Sequence, residues 1–296
     1  MRESMHIKVM IQNVALYILL SIFPFLACAE NYRGWEHLAQ QLIKRGLHPK
    51  DVQSIYSTRS IPKFDSVYFQ LEPGESKRMY REYYRRKKIE LAIKQIQTNL
   101  TTYEEAYHRF GVTPSLVAAI LLVETHYGGY TGNSAILYRL SRLANIDSPN
   151  NVEYNFKRHQ KTDKKVTRHQ VASRANTISK MFVPEVEALI EIAKENRFNP
   201  MNIKGSYGGA FGIPQFLPTS YLKYGVDGDK DGSISLYDMD DAIHSTAHFL
   251  SRHGWKADLT YEAQKEVIWH YNHSDAYVEA VLHLKQSIEV AFRNRQ

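Results

Sequence analysis

The chain has 296 residues, of which 43% are hydrophobic and 23% charged, with a formal charge of +7 and a single cysteine. That apolar content suffices for a core in one large domain or two small ones, and one cysteine excludes a disulfide framework. The 20 tyrosines and 13 histidines exceed average usage, and tyrosines in such numbers serve either as core or as groove lining.

Arg2 and Lys8 precede an apolar run from Val14 to Ala27, and Ala27-Cys28-Ala29 supplies the small residues of a signal-peptidase site. The run is too short for a membrane span. Residues 1–29 are therefore expected to be a signal peptide, leaving a cysteine-free chain from Glu30 with a charge of about +6. The expected location is periplasmic, or otherwise exported, in a bacterium. Lipidation of Cys28, giving an outer-membrane lipoprotein, is the alternative, although Phe25 and Leu26 match such a site poorly. A basic exported chain is attracted to anionic envelope polymers or lipid head groups, with peripheral membrane association as one outcome. Export argues against nucleic acid as partner.

Residues 30–110 read as a helical N-terminal region, since apolar positions recur with helical period from Trp35 to about Arg109. Lys77, Arg78, Arg81, Arg85, Arg86, Lys87 and Lys88 crowd a short stretch broken by Tyr80, Tyr83 and Tyr84. The expectation is a solvated helix face packed through its tyrosines, with electrostatic docking on wall or membrane as the alternative. Thr113 and Pro114 are placed to cap and open the next helix, which runs through Glu124 to a stop at Gly128-Gly129. Residues 146–170 are polar, basic and weakly periodic, and read as a long loop or insertion. Helices are expected over 174–196, 239–253 and 260–290, with a glycine-rich stretch at 204–212. The fold class is mainly α.

Glu124 shares a helical stripe with Leu116, Val117, Ile120 and Leu121. A carboxyl group held against apolar surface is expected to lose solvation and gain a proton, as a general acid near neutral pH requires. A second motif occupies residues 227–238, where Asp227, Asp229 and Asp231 fall at positions 1, 3 and 5 of a calcium loop of the EF-hand type. Gly232 takes the sharp turn, Ser233 offers its carbonyl and Asp238 closes position 12. Aspartate there, in place of glutamate, shortens the reach and predicts a structural ion of moderate affinity. No organic cofactor is expected, and His244, His248 and His253 lack the spacing of a zinc motif.

Several of these segments occur in the order of a known family. Gly111-Val112-Thr113-Pro114 leading to Glu124-Thr125-His126-Tyr127-Gly128, then Ser206-Tyr207-Gly208-Gly209-Ala210-Phe211-Gly212 and Pro214-Gln215-Phe216, resemble the membrane-bound lytic murein transglycosylase B family. The calcium loop, His253-Gly254-Trp255 and Tyr271-Asn272-His273-Ser274 with Tyr277 continue the resemblance, which covers about half of the chain. It implies a lysozyme-like catalytic domain over 111–296 acting on peptidoglycan glycan strands, at the bond between N-acetylmuramic acid and N-acetylglucosamine. It implies Glu124 as the one acid and base, closing a 1,6-anhydro ring without water, unlike the two-carboxylate hydrolases. Ser206, Gln215, Tyr221, Tyr271, Asn272 and Tyr277 are then expected to line the sugar groove. Two rivals are a hydrolytic muramidase on the same core and a catalytically silent peptidoglycan-binding protein. The chain departs from the family in the short segment 256–270, and in the unfamiliar basic stretch 155–169.

Overall fold

The computed structural model describes residues 32–72 and 77–294, so the expected signal peptide with Cys28 lies outside the described residues. The described chain is mainly α-helical and divides into two compact units, the first ending at Phe64. In the first unit, α1 (Glu36–Lys44) packs on α2 (Pro49–Tyr56). Trp35 is fully buried within 5.0 Å of Phe64 and 5.6 Å of Tyr56, and its indole N–H donates to the Pro62 carbonyl at 3.0 Å. Burial of that ring with its one donor satisfied is what closes so short a unit.

The second unit runs through a 3-10 segment (Lys77–Tyr84), α3 (Arg86–Thr98), α4 (Leu100–Phe110) and α5 (Pro114–Thr125). A two-residue strand β1 (Ser134–Ala135) precedes α6 (Ile136–Ala144), α7 (Pro149–Gln160) and α8 (Arg168–Glu195). Strand β2 (Lys204–Gly205) pairs antiparallel with β1, Ser134 opposite Gly205. The chain ends with α9 (Pro218–Tyr224), α10 (Met239–Arg252), α11 (Tyr261–Trp269) and α12 (Asp275–Arg293).

The centre of this unit is α5. Residues 115–123 and Thr125 are all buried, so the helix is apolar on every side rather than along one stripe. Helices α3, α4, α10 and α12 pack around it, which is why no polar face is needed. Each of Leu116, Ile120, Leu121 and Leu122, fully buried, contributes about 2 kcal/mol of transfer free energy. Thr113 holds the extended N-cap conformation, but its hydroxyl meets the Ser115 hydroxyl at 3.0 Å instead of capping an amide. Helix α5 also stops before the two glycines: His126 and Tyr127 turn into the left-handed region at φ 53° and 59°. Their amides bond back to the carbonyls of Leu122 and Leu121, which satisfies the helix end without glycine.

Residues 146–170, read as a loop, contain the twelve-residue helix α7. The weak apolar periodicity hid a polar one. Asn151, Asn155 and His159, four residues apart, form one buried face. That face grips an extended strap: the Val67 and Phe69 amides donate to Asn151 Oδ1 (2.7 Å) and Asn155 Oδ1 (3.1 Å). Asn155 Nδ2 returns a bond to the Val67 carbonyl at 2.8 Å, and His159 Nε2 meets the Phe69 carbonyl at 2.9 Å. Helix α8 likewise begins earlier than expected, because Thr167 and Gln170 form a reciprocal capping box. Farther along α8, the buried carboxylate of Glu185 accepts the Thr219 amide and hydroxyl at 2.9 and 2.7 Å and so caps the start of α9. Burial pushes the Glu185 carboxyl up, against the pull of those two bonds and of the Lys223 charge.

Replacing Asn155 with alanine leaves the Phe69 amide and Val67 carbonyl without their partner. Stability should fall by about 2 kcal/mol, read as a lower urea midpoint. An unchanged midpoint would show that the strap is held by other contacts.

Candidate active site

Glu124 stands at the end of α5, half-buried, next to the turn that carries the chain out of the core. Its Oε1 accepts the Tyr277 hydroxyl at 2.6 Å. Tyr277 is 1% exposed, with Tyr80 edge-on at 6.1 Å and Tyr271 parallel to within 8° at 6.3 Å. The Tyr83 hydroxyl, its ring 6.3 Å from that of Tyr80, donates to the Val123 carbonyl at 3.1 Å. The Tyr271 hydroxyl donates to the Pro214 carbonyl at 2.6 Å, joining α11's end to the segment after the glycine loop. Thr125 completes the frame: its hydroxyl donates to the Ile213 carbonyl at 2.8 Å and accepts the Gly128 amide at 3.0 Å.

This setting keeps the tyrosines neutral. Burial, and after it the Glu124 charge, pushes the Tyr271 and Tyr277 phenols well above their usual 10. Tyr83 is pushed up to about 12 by burial, then by the charges of Glu82 and Glu124. A neutral Tyr277 remains a hydrogen-bond donor toward the carboxylate at any physiological pH. The left-handed turn after Glu124 is held by His126, whose Nε2 meets the Lys88 ammonium at 2.5 Å and whose ring lies 5.5 Å from that of Tyr83. Burial and then the Lys88 charge lower the His126 pKa, so at neutral pH it is the acceptor of that bond.

Of the expected groove residues, Ser206, Gln215, Tyr221, Tyr271 and Asn272 are half-buried and Tyr277 is buried. Ser206 Oγ accepts the Ala210 amide at 3.2 Å, closing the glycine loop. Gln215, at φ 51°, donates to the Thr131 and Gly212 carbonyls at 3.2 and 2.8 Å, which ties the turn after α5 to that loop. Gly132 makes the approach possible, since a Cβ there would fall 2.2 Å from the Gly205 carbonyl oxygen. Two more of the expected groove residues have hydroxyl partners within the protein. Tyr277 is buried on Glu124, and the Tyr221 hydroxyl donates to Ile234 in the aspartate loop at 3.1 Å. Tyr80, Tyr83, Lys88 and His126 were missed as site residues. Their signal was the tyrosine spacing inside the basic stretch, whose Tyr80 and Tyr83 are buried while Arg78, Arg81, Arg85, Arg86 and Lys87 are exposed.

Three carboxylates converge at the aspartate loop. Asp227, Asp229 and Asp241 bring carboxylate oxygens within 4.8 Å of one another. Asp231 instead accepts the Ser233 amide and hydroxyl, both at 2.8 Å, which holds its carboxyl below the usual range. Asp238 caps α10 by accepting the Asp240 amide at 2.8 Å. Asp241, 2% exposed, accepts the Gly228 and Ser235 amides at 2.7 and 2.6 Å and folds the loop around itself. Asp227 Oδ1 is buried with no hydrogen-bond partner. Asp229 sits above its ordinary range although the Asp231 amide, its largest influence, pulls it down. Desolvation, the charges of Asp231 and Asp241 and the neighbouring Asp227 carboxyl outweigh that pull. Converging carboxylates with an orphaned oxygen fit a hard cation.

Comparison with known proteins gives three kinds of match. A family model described as a transglycosylase SLT domain covers residues 30–267. The membrane-bound lytic murein transglycosylase B of Escherichia coli K12 is 34% identical over 157 residues, 52% of this chain and 36% of that protein, so the match spans about a third of the relative's length. The E. coli lytic transglycosylase SLT35 solved with calcium aligns at a TM-score of 0.61 and 23% identity, over 86% of this chain and 93% of that one. SltB3 from Pseudomonas aeruginosa, solved with NAG-NAM-pentapeptide, aligns at 0.61 and 17% identity, over 86% and 78%. The lysozyme-like helical fold is shared with these structures.

Because folding raises the Tyr83 pKa, its neutral form contributes stability that is complete below pH 10 and is lost as pH rises through about 12. Urea midpoints should fall across that window, and less steeply in Tyr83→Phe. Identical slopes for the two proteins would rule out Tyr83 as a source of the alkaline instability.

Proposed function

The chain belongs to the transglycosylase SLT domain family, and on that premise we propose that it is an exported lytic transglycosylase of peptidoglycan with Glu124 as its acid and base. The observation that carries this is the half-buried Glu124 at the mouth of a buried helix, with one oxygen bonded to Tyr277 and a wall of neutral tyrosines about it. Glu124, protonated, gives its proton to the oxygen linking N-acetylmuramic acid to N-acetylglucosamine as the C1–O bond breaks. The carboxylate so formed takes the proton of the muramic acid C6 hydroxyl. O6 then bonds C1, and a 1,6-anhydro end forms with no water added. One carboxyl group serves both steps. Tyr277 orients it and stabilises its ionised form between them. Ser206, Gln215, Tyr271 and Asn272 are the groups offered to sugar hydroxyls and N-acetyl groups.

A hydrolytic muramidase is the second reading, and one observation keeps it in play. Glu82 lies 4.0 Å from His126 and, like Glu124, acts electrostatically on Tyr83. A hydrolase needs such a second carboxylate to activate water or trap the sugar. Of Asp147 and Glu153, the two other carboxylates that could approach in space, Glu153 is paired with Lys157 and Arg168. Mass spectrometry of muropeptides released from purified peptidoglycan separates the cases. Anhydro products from the wild type and from Glu82→Gln, with none from Glu124→Gln, are expected. Products heavier by one water that vanish in Glu82→Gln would make the chain a muramidase. A folded wild type that binds glycan and releases nothing would make it a silent binder.

Calcium is the ion proposed for the aspartate loop, held by Asp227, Asp229 and Asp241. The orphaned Asp227 Oδ1 supports this, as does the calcium bound to the aligned SLT35. The ion's role is structural: it neutralises three carboxylates that otherwise repel, and links the start of α10 to the loop that braces Tyr221. Adding calcium at a hundredfold excess over Kd should stabilise the fold by about 2.7 kcal/mol, seen as a rise in Tm. Asp229→Asn, which keeps the backbone bonds made by Asp241, should shrink the rise. A wild-type Tm indifferent to calcium and a loop that binds none would overturn the assignment.

A further inference from the structure

Resting on the peptidoglycan reading above, we propose that Arg139 on α6 is a recognition site for a carboxylate of the peptide stem carried by muramic acid. Arg139 Cζ lies 4.1 Å from the centroid of the Tyr207 ring, and Tyr207 is 70% exposed. The contact is set by the backbone. Gly209, at φ 87°, crosses α6 so closely that a Cβ there would fall 2.2 Å from Leu140 Cδ2. With no side chain between loop and helix, the ring of Tyr207 comes down on the residue beside Leu140. Tyr207 directly follows Ser206, one of the proposed glycan contacts, so the arginine borders the groove.

A guanidinium stacked on an aromatic face is pre-oriented while its in-plane N–H groups stay available for bidentate bonds to a carboxylate. Among the described residues no carboxylate pairs with Arg139. The contrast is one turn away, where Arg142 is engaged by Asp65 at 3.4 Å and packs on Tyr138 at 5.5 Å. Amino sugars whose lactyl group is amide-linked to peptide carry no charge of their own. The anionic groups presented at the edge of such a glycan are the stem's carboxylates, and Arg139 is the cation placed to meet them. An exposed ring stacked on arginine for stability alone would bring little, since cation–π pairs at open sites are weak.

The test compares Arg139→Gln with the wild type on two soluble probes: GlcNAc–MurNAc oligomers bearing stem peptides, and the same oligomers stripped of peptide by an amidase. Arg139→Gln should lower kcat/KM for the peptide-bearing chains about tenfold more than for the stripped ones, with Tm unmoved. Binding of both probes, measured by calorimetry in a Glu124→Gln background, should show the same difference. That arm reports on Arg139 whether or not the enzyme turns over, so a failure of the catalytic reading is told apart from a failure here. Equal losses on both probes, or no loss on either, would overturn the assignment. A loss confined to the stripped chains would also overturn it and give Arg139 to the free lactyl carboxylate.

Discussion

The second unit is organised by one constraint: a helix buried on all sides has to surrender its polar group at an end. In α5 the residues between Pro114 and Glu124 have no route to water, and the two partly exposed positions are those two termini. An ionisable group in the middle of α5 would be prohibitively costly. At the last turn the same carboxylate is half in solvent and half against protein, with a buried phenol to bond. The left-handed turn at His126 and Tyr127 then takes the chain out at once, so Glu124 is held by backbone on both sides.

The tyrosines follow from that placement. Tyr80 and Tyr83 come from the 3-10 segment, Tyr271 from the turn after α11 and Tyr277 from the start of α12, so the two pairs lie far apart in sequence. Each buries a ring, and the hydroxyls of Tyr83, Tyr271 and Tyr277 reach Val123, Pro214 and Glu124. Aromatic residues suit this because one end packs and the other donates. The site is therefore a convergence of core residues, and perturbing its frame also perturbs the fold.

The aspartate loop shows the same economy. Asp241 organises the loop by accepting two amides, while Asp238 starts α10 and Asp231 closes a turn. Carboxylates that look equivalent in a ligand pattern are divided by backbone geometry into those that cap and those that converge. Asp227 and Asp229 are left to face Asp241, which lies beyond the twelve residues that the pattern spans.

Local chemistry was legible from the amino-acid order. Pro114 opening a helix, an unbroken apolar run ending in Glu124, the glycine-rich loop and the aspartate repeat each act over a few residues, and each appears where expected. What escaped was polar or distant. The helix α7 is written in Asn151, Asn155 and His159, whose partners are backbone atoms of residues 67–69, so no apolar pattern announced it. The approach of Asp241 to Asp227 and Asp229, the burial of Tyr277 on Glu124 and the stacking of Tyr207 on Arg139 all join residues that no spacing rule connects. Helical period and capping are properties of neighbours, and sequence by itself determined those. Which side chains share a site depends on how buried surfaces fit together, and only the tertiary structure decided it.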